Sequence, residues 1–519
     1  MNVRAYWRPS GNRRGVHRQP RAMILVVVLV VVSLLSLAAL TFSQLMFAER
    51  EATELAGRRI QARALVNSGI DYVRLLLAQD EISLLEMGGV YDNSLQLSGA
   101  LVVDDTDAKK RGRFAVVAPN LENGYFSGIR YGLEDESTKL NLNYLAQKDS
   151  EDNSGRDTLM LLPGMTEDIA DAILDWIDAD DTRREFGAEL EDYSALVPAY
   201  ASKNGPLDSL DELLLVRGVT PWLLYGVDAN RNTNADQSEP SGETLVNVDN
   251  SDGALDRGWS AYLTVHSYEG NTTADGKAKI NLNQDNLETL HGELEQALTP
   301  EWATFIVGYR QNGPSTGNDP ATTAVPTDNL DFSGDAQQEI KSVLDLVGVT
   351  TQVKVQGQEI PTVLAPQFPQ DSASMQEYLP MLLDAVTTVD AETISGRINI
   401  NQASRTVLLT IPGMTEEIAE QIVGTRIADP IEADDSQACP LWPLVQGLVD
   451  LETMKNLEPY VCTGGSTYRA QVVGYFDGGG PFARVEVVID ATQSPAAVLS
   501  WKDMSHLGRG YPLEALGIE

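Results

Sequence analysis

The sequence predicts an α+β protein in which a long N-terminal helix packs on an antiparallel sheet and a large all-α domain is inserted into that sheet. Three observations predict it. The apolar run MILVVVLVVVSLLSLAAL (23–40) continues without a break into an amphipathic helical pattern. Strand-like stretches lie at the two ends of the body that follows. Between them the chain reads as helical and repeats itself.

A chain of 519 residues is too long for one core, so several domains are expected. Its formal net charge is −37, from 75 acidic and 38 basic residues. Such a surface repels nucleic acid and anionic lipid and attracts divalent cations or basic partners. The charges are unevenly placed. Arg4, Arg8, Arg13, Arg14, Arg18 and Arg21 precede the apolar run, and Glu49, Glu51 and Glu54 follow it. A helix over 23–40 would span roughly 27 Å, close to the hydrocarbon thickness of a bilayer. The positive-inside rule then keeps the N-terminus cytoplasmic and exports the body of a single-pass protein.

A cleaved signal peptide competes with this reading, but Ala38-Ala39-Leu40 is a poor cleavage site. From Glu49 to Gln79 there is no proline, and Ala52, Leu55, Ala56, Ile60, Ala64, Val66, Ile70, Val73 and Leu77 recur at helical spacing. One helix over 23–80 is expected. A basic leader, a small residue, an apolar run and a continuing helix together resemble a type IV pilin precursor. The resemblance implies a leader over 1–22, cut by a prepilin peptidase between Ala22 and Met23, with methylation of the new terminus. Most pilins carry glutamate at the fifth mature position, where this chain has Val27. That departure is similar to the minor pseudopilin K of type II secretion. An ordinary signal anchor is the bland alternative.

In the exported body, RFAVVAP (113–119) and YFSGIRYGL (125–133) read as strands within a first sheet part, 81–138. TYRAQVVGYFDGGGPFARVEVVID (467–490) reads as two more and VLSW (498–501) as another, within a C-terminal sheet part, 463–519. Between them, LPGMTEDIADAILDW (162–176) and IPGMTEEIAEQIVGTR (411–426) are copies, led by KLNLN (139–143) and RININ (397–401). A third lead, KINLN (279–283), precedes LTPEWATFIVGYR (298–310), which has lost the Pro-Gly; LDELLLVRGVTPWLLYG (210–226) completes the first unit. The units expected are 139–226, a central region 243–395 with a degenerate repeat, and 396–462. Residues 312–335 read as a loop.

The Pro-Gly-Met copies resemble helix-hairpin-helix motifs: proline ends one helix and glycine permits the left-handed turn. In DNA-binding members the hairpin amides hold a phosphate, which raises a membrane-anchored DNA receptor as a rival reading. Glu167 and Asp168, like Glu416 and Glu417, place carboxylates where counterion release needs Lys or Arg, so a structural role is favoured. The stretch 175–226 is similar to the helical insertion of pseudopilin K, most recognisably at Asp-Trp-x-Asp-Ala-Asp (175–180), Lys-Asn-Gly-Pro (203–206) and the run ending at Thr220. This implies a pilin-like fold and an inner-membrane anchor with a periplasmic body. It implies a role in starting and capping the pseudopilus tip. The implied partners are the other minor and the major pseudopilins, prepilin peptidase, and secreted substrates or the outer-membrane channel. A minor pilin of a type IV pilus is the alternative within the same class.

DANRNTNADQSE (228–239) places Asp228, Asn230, Asn232, Asn234, Asp236 and Glu239 at positions 1, 3, 5, 7, 9 and 12 of an EF-hand-like loop, with Thr233 where glycine is usual. Calcium is the expected ion, and a polar linker over 227–242 the alternative. A second acidic cluster, Asp178, Asp180, Asp181, Glu189, Glu191 and Asp192, reads as a solvated face. Cys439 and Cys462 could pair as a disulfide in an oxidising compartment, a choice the spacing leaves open. His17, His266, His291 and His506 have no zinc spacing, and the sequence carries no nucleophile elbow, phosphate loop or dinucleotide fingerprint, so no enzyme is expected.

Overall fold

The computed structural model describes residues 21–122, 125–234, 239, 257–315, 320–358, 360–433 and 435–518. Residues 1–61 and 62–519 form two compact units. Helix α1 (Arg21–Leu76) is uninterrupted, as the absence of proline predicts. In the first unit its apolar side chains face outward, Met23 67% and Phe47 69% exposed. Beginning at Met23, the helix is long and apolar enough to cross a membrane, its most apolar 18-residue stretch having a mean hydropathy of 3.1.

In the second unit α1 buries Ala62, Leu65, Val66, Ile70, Val73 and Leu76, one stripe at helical spacing, against Phe114, Val116, Val472, Val485 and Val487. Two glycines make this contact close. A Cβ on Gly69 would come within 2.7 Å of the Val472 side chain, and one on Gly474 within 2.4 Å of the Ala62 carbonyl. Helices α2 (Glu81–Glu86) and α3 (Ser94–Leu97) lead into strands β1 (Ala100–Val103), β2 (Gly112–Glu122), β3 (Tyr125–Arg130) and β4 (Glu134–Asp135).

Three helical units follow, each closed by a two-residue parallel bridge. The first contains β5 (Leu140–Asn141), α4 (Leu142–Asp152), α5 (Gly155–Leu159), α6 (Glu167–Ile177), α7 (Leu190–Ser194) and α8 (Pro221–Tyr225), and ends at β6 (Leu263–Thr264), which pairs with β5. After β7 (Tyr268–Gly270), the central unit contains β8 (Ile280–Asn281), α9 (Leu287–Ala297), α10 (Pro300–Asn312), β9 (Thr351–Val353), β10 (Thr362–Leu364) and α11 (Ser372–Ala385). It ends at β11 (Val386–Thr387), paired with β8. Strand β12 (Thr393–Ser395) then pairs antiparallel with β7. The third unit contains β13 (Ile398–Asn399), α12 (Arg405–Leu409), α13 (Glu416–Thr425), α14 (Trp442–Val445) and α15 (Leu451–Leu457), and ends at β14 (Val461–Cys462), paired with β13.

The repeated lead explains the repeated geometry. Asn143 donates to the Leu207 carbonyl at 3.0 Å and accepts from its N–H at 2.7 Å; Asn283 does the same at Ile340, at 2.9 and 3.0 Å. Asn401 donates to the Gln437 carbonyl and accepts from the Trp442 indole, both at 2.9 Å. Each asparagine thereby satisfies buried polar groups across its unit. The central unit keeps this clamp although its Pro-Gly is lost. The central and third units share one apolar core, and the first has its own.

The chain returns through β15 (Thr467–Phe476), β16 (Ala483–Asp490) and β17 (Ala497–Asp503). The sheet runs β1-β2-β15-β16-β17, with β3 on β2 and β4 on β15, and every pairing is antiparallel. One face carries α1; Tyr511 and Leu516 cover the other, against Val117, Val473 and Tyr475. A buried charge network joins sheet to insertion: Lys139 Nζ lies 2.7 Å from Glu134 and 3.0 Å from Glu136, and Arg469 Nε 2.7 Å from Glu136. Burial opposes ionisation of Glu136, but Arg469 and Lys139 hold its carboxyl well below the usual range.

Candidate cation site in the first helical unit

Helix α6 carries Asp171 and Asp175 one turn apart on its buried face, both fully shielded from solvent. The turn after α6 adds Asp178, and α4 contributes Asp149. Two arginines answer them. Arg156 Nε donates to Asp171 at 2.6 Å. Arg184 donates to Asp149 and Asp175 at 2.8 Å each and also to Asp178. One guanidinium thus serves three carboxylates, and burial still pushes Asp175 and Asp178 above the ordinary aspartate range.

Beside this network stand three buried oxygens with no hydrogen-bond partner: Asp178 Oδ1, Glu189 Oε1 and Asn204 Oδ1. Asn204 lies against the same turn, its amide donating to the Asp180 carbonyl at 2.9 Å and to Asp181 Oδ1 at 2.7 Å. Glu189 is 5% exposed, and its other oxygen accepts from Ser202 at 3.1 Å. Burial, with the charges of Asp175, Asp178 and Asp181, pushes its carboxyl up to about 7. Unpaired buried acceptors are costly, and a hard cation that takes oxygen ligands relieves that cost. Among the described residues no three His, Cys, Asp or Glu side chains form a metal-holding group on their own. Here two carboxylates and an amide near one turn each leave an oxygen unpartnered, a donor set of the kind that hard, oxygen-seeking cations take.

The sequence reading of this cluster as a solvated face is corrected. Asp180, Asp181 and Glu191 are exposed, but Glu189, at the N-cap of α7 with its N–H donating to Asp192 Oδ2 at 3.1 Å, is buried. Asn204 was visible in the Lys-Asn-Gly-Pro motif and Asp178 in Asp-Trp-x-Asp-Ala-Asp. Nothing in their spacing joined the two motifs.

The EF-hand-like segment forms a compact turn in its described part. Asp228 accepts from the N–H groups of Asn232 and Thr233 at 2.9 Å each, Asn230 from Asn232 at 2.9 Å, and Asn232 from Asn234 at 2.8 Å. Arg231 and Thr233 adopt positive φ, 58° and 61°, so Thr233 takes the left-handed conformation that glycine usually supplies. Arg484 donates to the carbonyls of Asn230 (2.9 Å) and Arg231. Asp236 lies outside the described residues; Glu239 is described, in no regular element.

Of the processing residues, Ala22 and Met23 fall in the first turn of α1, and Val27 is 54% exposed on it. Cys439 and Cys462 are both buried and not joined; burial pushes Cys439 up to about 11 and raises Cys462 as well. A charged cleft between the first unit and the sheet contains Arg469, Glu486, Lys502 and Asp211. Its charges are matched internally, Arg469 with Glu486 at 3.0 Å and Lys502 with Asp211.

Residues 138–226, which include Asp178, Glu189 and Asn204, match the family model described as type II secretion system (T2SS), protein K. No curated protein matches the chain. Among solved structures, the GspK-GspI-GspJ complex of the type 2 secretion system from enterotoxigenic Escherichia coli contains a chain of 13% identity. The match covers 88% of this chain and 98% of that one, at a TM-score of 0.36. An overlap that weak carries no information about function.

Proposed function

We propose that this chain, which carries a type II secretion system protein K domain, is a minor pseudopilin that initiates and caps the tip of a periplasmic pseudopilus. The observation that carries the reading is the placement of that domain: it interrupts an antiparallel sheet on which the continuation of an apolar N-terminal helix packs. The role is mechanical. After a cut between Ala22 and Met23, the apolar helix packs among those of the other minor pseudopilins and the major one. Val27 offers no carboxylate to the amino terminus of a further subunit, which suits a terminal position. The positive-inside rule supports an inner-membrane anchor with the body in the periplasm. The Pro-Gly turns serve as helix-hairpin-helix motifs in a structural sense, and the acidic surface opposes nucleic acid.

Calcium is the ion we assign to Asp178, Glu189 and Asn204, where it supplies the positive charge that Arg184 alone does not. The Asp228 loop, through Asp228, Asn230, Asn232, Asn234, Asp236 and Glu239, is a second calcium position. Both stiffen the exported body and perform no chemistry.

Co-expression with a prepilin peptidase, followed by mass measurement of the mature N-terminus, tests the class. A terminus at Met23 is the expected result; an intact leader, or a cut near residue 40, removes the pseudopilin reading. Calorimetric titration of the full chain with calcium tests the ion.

A further inference from the structure

Five apolar side chains stand out to solvent on one part of the first helical unit. Phe186 is 40% exposed, Leu190 and Leu196 47% each, Leu215 48% and Val197 98%. They come from three chain segments that are tied together. Arg217 donates to the carbonyls of Phe186 and Gly187, the second at 2.8 Å, and its backbone N–H donates to the Tyr193 hydroxyl at 3.3 Å. The Tyr200 hydroxyl donates to the Leu215 carbonyl at 2.8 Å. Trp176 meets the rings of Tyr193 and Tyr200 edge-on, at 5.1 and 6.2 Å. The backbone beneath the exposed tips is therefore held in place, and a preformed apolar surface of this kind favours association.

The charges around it say what covers it. Residues 138–226 carry 18 acidic side chains against 7 basic ones. Glu185 and Glu191, the chain neighbours of Phe186 and Leu190, are exposed and make no ion pair among the described residues. The same holds for Asp157, which follows Arg156, whose guanidinium lies 5.6 Å from the Phe186 ring. The nearby arginines are already engaged: Arg156 with Asp171 at 2.6 Å, Arg183 with Asp192 at 3.6 Å, and Arg217 with the two carbonyls. The occupant must supply the missing cations. A second copy, with its net charge of −37, is repelled, and so is the chain's own segment 240–256, which has acids at 243, 249, 252 and 256 and no base.

We propose that this surface docks a basic amphipathic segment of another protein. Its apolar side chains lie on Phe186, Leu190, Leu196, Val197 and Leu215, and its lysines or arginines meet Asp157, Glu185 and Glu191.

The test is hydrogen exchange on the full chain in phosphatidylcholine nanodiscs, whose surface has no net charge to attract the probe. The probe is a short synthetic peptide with leucines on one helical face and lysines on the other. Slower exchange in 190–201 and 213–217, with 416–425 unchanged, is the expected result. A peptide of the same pattern with glutamate in place of lysine gives no such protection. The Leu190→Ser, Leu215→Ser double variant, altered only at half-exposed positions, binds the lysine peptide about tenfold more weakly, while its exchange without peptide matches the parent in 167–177. The Glu185→Gln, Glu191→Gln double variant also binds it more weakly, and added salt reduces the difference. No protection by the lysine peptide overturns the proposal. Equal protection across the acidic body, or equal binding by the serine variant, reveals adsorption by charge alone and overturns it too. Protection of 190–201 that rises with protein concentration in the absence of peptide assigns the surface to a second copy, against the proposal.

Discussion

The two Pro-Gly hairpins are nearly the same sequence placed in different surroundings. Gly164 and Gly413 both take positive φ, 68° and 83°, and Thr166 and Thr415 both stand at the N-cap of the second helix. Arg156 and Arg405 are equivalent, as are the acids they meet, Asp171 and Glu420. The first pair is 2.5 Å apart with the carboxylate wholly buried; the second is 3.3 Å apart with the carboxylate 66% exposed. One turn later the first copy has Asp175, buried on Arg184, and the third unit has Gly424. A shared backbone motif therefore supports two electrostatic regimes. In the first unit it organises a buried charge network beside orphaned oxygens; in the third it is an apolar joint with solvated ion pairs.

Removing the arginine at the centre of the first network should break the comparison most strongly. Arg184→Ala leaves Asp149, Asp175 and Asp178 without their shared counter-charge, and a loss of about 3–5 kcal/mol is expected for a buried network. Chemical denaturation, with hydrogen exchange across 140–265 to locate the effect, measures it. A loss under about 1 kcal/mol would mean that the two copies do not differ as described.

Next in size is Glu189→Gln. The folded pKa is raised, so the parent without a divalent cation loses stability as pH climbs from the ordinary glutamate range through about 7. The variant lacks this decline, and at pH 8 it should be more stable than the ion-free parent by up to roughly 3 kcal/mol. Melting curves across pH, with and without calcium, check both the slope and its disappearance when the ion is added.

Gly164→Ala and Gly413→Ala sharpen the comparison from the other side. Both impose a left-handed conformation on a residue with a Cβ, at about 1–2 kcal/mol each. Equal losses by denaturation would show that the hairpin backbone is the same in both units; a difference above about 1 kcal/mol would refute that. Smallest of all should be Glu420→Ala, within about 0.5 kcal/mol of the parent, as exposed ion pairs generally are.

Much of the architecture was legible because it rests on local pattern. The strands at 112–122, 467–476, 483–490 and 497–503 follow the apolar stretches that named them, and α1 follows from an unbroken run without proline. Self-similarity marked the three asparagine leads. What closes each unit was not legible, since bridges of two residues such as Leu263–Thr264 have no periodicity to read. For the same reason the first unit appeared to end at Gly226, although Trp259 and Leu263 complete its core. The site was half legible. Asp178 and Glu189 stood out as acids, but burial of Glu189 and the approach of Asn204 are properties of packing that no spacing encodes.

The bridge between β4 and β15 has a further consequence. Asp135 and Tyr468 are directly paired, so the chain leaves the sheet and rejoins it at neighbouring strands. From the sheet's point of view, everything between them is a hairpin turn. Each helical unit is likewise stitched shut where it begins. The first unit, which has a core of its own, can therefore grow or be shed without altering the register of a single sheet strand, whereas the central and third units, which share a core, go together. The cargo grows while the handle stays the same length.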